Sequence, residues 1–278
     1  MAFTNVQREA VRKLIYDVPD IDRRLPIWAR RTNPIVLREL GPYWRVFPPE
    51  LSPVLRWLAA HAALLILSVF SSLVFIPIII AMIVGVGMLP FMVYYYGGVL
   101  LRLIHDAAGS MAREYENSTI DVLRATPYST REIVLSKITA AVWRRMDMVL
   151  IATSFTVTVG MTVIVVIYLN AYPPETHGIL PQVLSFLALL TSLIRVPLEM
   201  FMAAALAVLL GAASRSKQIA FLSTAGLLFF YFLLTNMLSL LSVGLAVRVF
   251  IDVILPLAAP ALIAYFCVRR TIHLLYAR

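Results

Sequence analysis

Few side chains in this sequence have the type and spacing to do chemistry, and the clearest are charged residues within long apolar stretches. Arg195 and Glu199 lie four residues apart, and Arg248 and Asp252 repeat that spacing. On a helix, residues four apart share a face and can form a salt bridge. Ionisable groups at membrane depth are costly and usually face the protein interior. The spacing predicts a packing salt bridge for each pair or, for Arg195 and Glu199, a position along a translocation path or a subunit seam.

Patterns typical of catalysis or cofactor binding are weak in this chain. Tyr94, Tyr95 and Tyr96 could line a substrate path or act as packing or interfacial aromatics. The four histidines have no metal-ligand spacing, and a single cysteine, Cys267, allows no disulfide within the chain. The sequence has no Ser/His/Asp constellation and no G-x-x-x-x-G-K-[ST] phosphate loop. We therefore predict that the chain is not an enzyme, holds no metal or cofactor and does not bind ATP through such a loop.

The elements that carry these residues are predicted to be membrane helices. Hydrophobic residues make up 61% of the 278 residues. Charged residues make up only 14%, and this charged share is below that of typical soluble domains. The apolar residues form runs of the length that a spanning helix needs. The fold class predicted is an all-α polytopic membrane protein with about six spans. The net charge of +9 comes from residues that flank the apolar runs, so anionic lipids are the expected partners and nucleic acid is not.

The apolar runs set the predicted boundaries. The interval from Arg56 to Arg102 is long enough for two helices, with a turn at Gly85, Gly87 and Pro90. The later spans are predicted at 146–170, 180–213, 218–247 and 249–268. The chain divides into an N-terminal region (1–56), a transmembrane domain (57–268, including a loop at 102–145) and a tail (269–278).

Positive charges are confined to a few segments. Of 24 Lys and Arg residues, 22 lie in the N-terminal region, in 102–145, in 214–217 and after residue 268, whereas 171–179 has none. Basic segments stay in the cytoplasm. We therefore expect a multi-pass protein of the plasma membrane with both termini cytoplasmic, an even number of spans and an exposed outer loop at 171–178.

An amphipathic helix is predicted ahead of the first span. Val36, Leu40, Tyr43, Trp44 and Phe47 recur at helical spacing, although Gly41-Pro42 should kink or divide the helix. The favoured interpretation places it in the headgroup layer. The alternative is a helix packed on the protein's own cytoplasmic face.

The loop at 102–145 has signals for helix, break and helix. Ser118 could cap a short helix, and Pro127 disfavours helical geometry at Thr126. Ser129 and Glu132 form a capping box that opens a second helix. A short helix held between two spans suits the transmission of a push from a partner, and a solvated loop with ordinary caps is the alternative.

The run from Glu114 to Lys137 resembles the cytoplasmic segment of ABC-2 type permeases, the membrane subunits of many ABC exporters. That pattern reads roughly E-x-E-x-G-T-x-x-x-L-x-x-T-P-x-S-x-x-E-I, then a small residue and Lys; Ser118 stands where the family has glycine. The matching residues are Glu114, Glu116, Thr119, Leu123, Thr126, Pro127, Ser129, Glu132, Ile133, Ser136 and Lys137. A second segment resembles the family's N-P-x-x-x-R-E-L pattern through Asn33, Pro34, Arg38, Glu39 and Leu40.

The resemblance implies an interfacial elbow helix, a coupling helix between spans two and three, and short re-entrant helices between the last two spans. It also implies a second permease subunit, identical or different, and a separate ATPase subunit that binds ATP and Mg²⁺. The ATPase-coupling residues would be Glu114, Glu116, Thr119, Leu123, Thr126, Pro127, Glu132 and Lys137. The substrate and any bound lipid or pigment stay open. The alternatives are an accessory subunit of a larger membrane complex and a channel, and no ring-forming polar span supports the channel.

Overall fold

A computed structural model of the chain describes residues 23–41, 75–239, 241 and 243–276, together with isolated positions between 56 and 67. Within these residues the regular elements are helices, and no strand is present. After a 3-10 turn at Ile27–Ala29, the helices are α1 (Pro34–Leu40), α2 (Phe75–Glu116), α3 (Ile120–Arg124), α4 (Thr130–Arg144), α5 (Met146–Ala171), α6 (Pro174–His177), α7 (Leu180–Ser214), α8 (Lys217–Ser239) and α9 (Leu245–Tyr276).

Four of these helices are long and apolar enough to cross a membrane: Ile83–Glu116 within α2, all of α7, Lys217–Leu238 within α8, and α9. This confirms an all-α protein embedded in the membrane. The 26-residue α5 is a further long helix, but its apolar part within the described residues, Met146–Val157, is shorter. The count of six spans stays a prediction; α2 includes the last part of the first predicted span, and most of the residues at 57–74 lie outside the described residues.

The turn predicted at Gly85, Gly87 and Pro90 is wrong, because α2 is one continuous helix through all three residues. Pro90 removes a single backbone donor, whereas an open turn at membrane depth would leave several backbone groups without partners. The helix also continues 14 residues beyond Arg102, to Glu116. Much of the predicted loop at 102–145 is therefore helical.

Helix α7 lies at the centre of the bundle and packs on α2, α5, α8 and α9. Its second half is rich in alanine, and Ala203, Ala204, Ala205 and Ala207 are fully buried. Small side chains let the helix axes approach closely. At Gly211, a Cβ atom would lie 2.7 Å from the carbonyl oxygen of Ala108 on α2. The α2–α7 contact therefore depends on glycine at this position.

The predicted re-entrant helices are absent from the described residues of the 218–250 segment. Helix α8 runs to Ser239, and α9 begins at Leu245 and continues through a π-helical stretch at Phe250–Ile254. Helical dihedrals are kept on both sides of that stretch, at Val249 and Leu255. Residues 240–244 separate the two helices, a segment too short for a pair of re-entrant helices.

The segments predicted to be cytoplasmic gather at one end of the bundle, here called the basic end. The side chain of Lys217, at the start of α8, lies over Gly109 of α2. The turn between α7 and α8 is therefore beside α2. Arg145 forms an ion pair of 2.7 Å with Asp106 of α2. Arg124 of α3 donates to the carbonyl of Leu275, near the end of α9. The charged connections of the sequence are therefore brought together in space.

The amphipathic helix predicted before the first span is formed in part by α1, and the predicted apolar positions Val36 and Leu40 are buried by the protein, whereas Leu37 is 43% exposed. Val36 and Leu40 are 0% and 1% exposed and pack with Ala140 and Trp143 of α4. The alternative of packing on the protein's own face therefore describes 34–40 better than the headgroup interpretation. The apolar residues of 43–47 lie outside the described residues.

Candidate functional site

Helix α1 is positioned by the first of the two resemblance segments. The Asn33 side chain caps the helix by accepting from the N–H of Ile35 at 2.9 Å, and Pro34 occupies the first turn, where its missing donor costs nothing. Asn33 also donates to the carbonyl of Ile27 at 3.1 Å. These contacts fix the helix that carries Arg38 and Glu39.

Lys137 of α4 is the centre of a buried ionic cluster at the basic end. Its side chain is 0% exposed, and its Nζ donates to Glu39 Oε1 at 2.7 Å, to Glu114 Oε1 at 2.9 Å and to the carbonyl of Ser110 at 2.8 Å. All three donors of the ammonium are therefore satisfied, as a buried cation requires. Burial lowers the pKa of Lys137, and the Glu39 carboxylate opposes that shift.

Further residues from the two segments that resemble the permease pattern also bond to this cluster. Arg38 donates to Glu114, and Thr119 donates its hydroxyl to the same carboxylate. Arg113 lies 3.7 Å from Glu39. We call Arg38, Glu39, Glu114, Thr119 and Lys137 the ionic cluster. It joins α1, α2, α4 and the start of α3, so it fixes four elements relative to one another.

The connection between α2 and α3 differs from its predicted form at Ser118. Ser118 does not cap α3; it adopts a left-handed conformation with φ of 54°, and Thr119 is the residue before the helix. Left-handed backbone favours glycine because it lacks a Cβ. The glycine of the permease pattern therefore suits the backbone geometry that this chain has at position 118.

Helix α3 has one buried face and one exposed face. Leu123 is only 4% exposed and packs with Ile35 and Ile133. Val122 is 67% exposed, and the side chain of Asp121 is 83% exposed. Leu123 is therefore held within the protein, whereas Val122 and Asp121 offer an accessible surface to a partner.

The remaining predicted coupling residues lie near α3 in different roles. Pro127 is exposed in the break between α3 and α4, as predicted, and Thr126 donates to the carbonyl of Leu123 at 2.6 Å. The Ser129–Glu132 capping box is confirmed, and its hydrogen bonds lower the pKa of Glu132. Glu116 is exposed at the end of α2.

The predicted salt bridge within α7 is formed. Arg195 Nε lies 2.6 Å from Glu199 Oε1. Glu199 is 2% exposed and also accepts hydrogen bonds from the hydroxyls of Tyr96 on α2 and Tyr231 on α8. The carboxylate therefore connects three long helices. Of the three tyrosines considered from the sequence, Tyr96 faces inward, whereas Tyr94 is 84% exposed.

The second predicted pair is also a salt bridge. Arg248 Nε lies 2.6 Å from Asp252 Oδ2 on α9, and the Tyr168 hydroxyl of α5 donates to the same oxygen at 2.8 Å. Each intramembrane carboxylate thus has an arginine on its own helix and tyrosine donors from other helices. Spacing alone revealed the arginines, but nothing in the sequence indicated the tyrosine partners Tyr168 and Tyr231.

No protein family, curated protein or solved structure matches this chain. Within the described residues, no three His, Cys, Asp or Glu side chains are grouped to hold a metal ion. The candidate functional features of the described residues are the ionic cluster, the exposed face of α3 and the two intramembrane salt bridges.

Proposed function

We propose that this chain is the membrane-spanning subunit of an ABC-2 type transporter that exports its substrate with the help of a separate ATPase. The observation that carries the proposal is the ionic cluster. Two sequence segments about 75 residues apart resemble the same family, and their charged residues meet in one buried site. A chance resemblance in two segments gives no reason for their side chains to contact one another.

The cluster offers a physical route for coupling. The exposed face of α3 would receive the ATPase, and the cytoplasm would lie at the basic end, as the distribution of Lys and Arg favours. Because α3 follows Thr119 directly and Thr119 is bonded to Glu114, a push on α3 would move the end of α2. Arg124 would carry the same movement to α9 through Leu275. Six spans, a second permease subunit and ATP with Mg²⁺ in the partner complete the proposal.

The test is purification of the native complex in mild detergent, followed by mass spectrometry and an ATPase assay. A stoichiometric ABC ATPase is the expected result. Val122→Asp should release that ATPase while the permease stays folded, because Val122 is exposed and belongs to no buried cluster. Leu123→Asp is unsuitable for this purpose, because it would place a charge in a buried contact.

Ile179→Asp is the matched control, since Ile179 is an apolar residue of similar exposure, 60%, at the opposite end of α7. Loss of the ATPase with Val122→Asp but not with Ile179→Asp supports docking on α3. Retention of the ATPase in both variants, or its absence from the native complex, contradicts the proposed coupling.

A second candidate function is an accessory subunit of a larger membrane complex without transport activity. The observation that favours it is that Glu114 and Lys137 are engaged within their own chain, so they would be useful for folding without any ATPase. Co-purification with many membrane subunits and no ATPase would support this candidate.

A further inference from the structure

A small cavity lies between α5, α7 and α9, away from the ionic cluster. Its volume is about 160 Å³, and both intramembrane arginines line it. The rest of its wall mixes polar and apolar groups: Ile164, Ile167, Tyr168, Ala188, Thr191, Ser192, Ile251, Asp252 and Pro256. A cavity of this size with a polar wall is large enough for a phosphate or carboxylate group, or for a few water molecules.

The cavity extends from the middle of α7 to the ends of α5 and α9 that lie opposite the basic end, since Tyr168 is three residues before the end of α5 and Arg248 three residues after the start of α9. Arg195 is 15 residues from the start of α7 and 19 from its end. At a rise of about 1.5 Å per residue, it is about 22 Å from one end and about 28 Å from the other. Ile167 lines the cavity and is also 42% exposed, so the cavity reaches the apolar outer surface of the bundle.

The polar groups of the wall differ in how far hydrogen bonds within the protein already engage them. Thr191 and Ser192 donate their hydroxyls to carbonyls of their own helix, at 2.9 Å each. Asp252 already accepts from Arg248 and Tyr168. Arg195 bonds to Glu199 through Nε alone, so its two terminal amino groups have no partner among the described residues. Unsatisfied donors are expensive in a membrane, and guanidinium groups bind phosphate and carboxylate with two parallel hydrogen bonds.

We propose that this cavity binds the anionic headgroup of an amphiphile, with Arg195 as the cationic group that holds it. The volume admits a phosphate or carboxylate but no acyl chain, so the tail would lie along the apolar surface beside Ile167. The inference goes beyond the proposed transport function, because the site is built from α5, α7 and α9 and needs no ATPase.

Binding can be measured by native mass spectrometry of the purified chain in detergent, with dioleoyl phosphatidate and dioleoylglycerol as probes. The two lipids share their tails and differ in the phosphate. We expect one tightly bound phosphatidate per chain and at least tenfold weaker binding of dioleoylglycerol. Equal binding of the two lipids would overturn the proposal, because the tails alone would then explain it.

Two variants of different kinds locate the site. Ser192→Leu should fill the cavity without touching either salt bridge, and Arg195→Gln should remove the free donors; each should weaken phosphatidate binding at least tenfold. Ser154→Leu is the matched control, since Ser154 is a half-buried serine that bonds to its own helix in the same way but lies outside the cavity. Unchanged binding by folded Ser192→Leu protein would overturn the assignment.

Inorganic phosphate separates a lipid ligand from a soluble anion. If the ligand is an amphiphile, millimolar phosphate should compete poorly with phosphatidate. Competition by phosphate at the same concentration as phosphatidate would show that the lipid tail contributes nothing to binding. That result would contradict the proposal that the ligand is an amphiphile.

Discussion

At the scale of single residues, the most informative feature is the pairing of buried charged side chains. Lys137, Glu39, Glu114 and Glu199 are all at most about one-tenth exposed in their side chains, and each is engaged by opposite charge. Burying a lone charge is far more costly than burying a paired one. These residues therefore constrain how the helices can be arranged, because any arrangement that separates the partners leaves a charge uncompensated.

Removal of the Lys137 charge tests this argument. Lys137→Met should lower the free energy of unfolding by about 3–5 kcal/mol, because Glu39 and Glu114 would both lose a buried partner. Unfolding in mixed micelles of dodecylmaltoside and sodium dodecyl sulfate, followed by circular dichroism, measures the change. Arg131→Met on the exposed side of the same helix is the control and should cost little. Equal losses in the two variants would exclude a special role for the cluster.

Ser118 provides a second test at this scale. Ser118→Gly should raise the free energy of unfolding by about 1 kcal/mol, because glycine adopts the left-handed backbone without a Cβ clash. Ser118→Ala removes the same hydroxyl but keeps the Cβ, so it should give no such gain. The same micelle titration distinguishes them, and a gain with alanine as large as with glycine would assign the effect to the hydroxyl instead.

The sequence allowed accurate predictions for residues whose partners are local. The spacing of Arg195 and Glu199 and the capping box at Ser129 are contained within one helical turn, so their geometry follows from the helix itself. The ionic cluster and the tyrosine donors depend on tertiary packing between distant segments. No spacing rule applies to such contacts, and they could not be predicted from the residues alone.

At the scale of elements, the positions of the helix ends and the close contact between α2 and α7 determine the arrangement of the basic end. The break at Pro127 was predictable because proline restricts the residue before it. The continuous α2 was not, because glycine and proline mark turns in water, whereas a membrane favours an unbroken helix. Signals for turns must therefore be weighed differently within apolar runs.

The capping box of α4 gives a prediction about pH. The pKa of Glu132 is lowered because its carboxylate accepts from the N–H and the hydroxyl of Ser129 at 2.9 and 2.8 Å. The folded state thus favours the ionised carboxylate, and the stability it contributes is present at neutral pH and lost as pH falls through the folded pKa, below the usual value of about 4.3. Glu132→Ala should therefore unfold at a lower temperature than the wild type at pH 7, with a smaller difference at pH 3.5. An unchanged difference would contradict this role.

The close approach of α2 and α7 gives another prediction at the element scale. Gly211→Ala should lower the free energy of unfolding by about 1–3 kcal/mol, because the new methyl group would meet the Ala108 carbonyl at 2.7 Å and force the helices apart. Gly226→Ala on α8 is the control, since a Cβ there meets nothing within 4 Å. It should be neutral or slightly stabilising, as alanine favours helix more than glycine does. Similar losses at both sites would contradict a packing effect.

At the scale of the whole molecule, charge distribution and packing lead to one arrangement. The described parts of the basic segments meet at one end of the bundle, and the exposed α5–α7 connection, which has no Lys or Arg, joins the other ends of α5 and α7. Under the proposed function, the positive-inside rule would place the basic end, and with it α3 and the ionic cluster, in the cytoplasm. The described helices provide the two ends of the bundle, and the orientation proposed for them rests on charge alone.

Cysteine labelling tests that orientation directly. Cys267 is the sole cysteine of the chain and is buried, so an exposed engineered cysteine would be the one thiol accessible to reagent. Thr176→Cys lies in α6 between α5 and α7, and Ser129→Cys lies between α3 and α4; both positions are exposed. We expect a membrane-impermeant maleimide to label Thr176→Cys on intact cells, and Ser129→Cys only after the membrane is permeabilised. Labelling in the opposite order would place the ionic cluster outside the cell, where no ATPase could drive it, and would end the transporter proposal even if an ATPase co-purified.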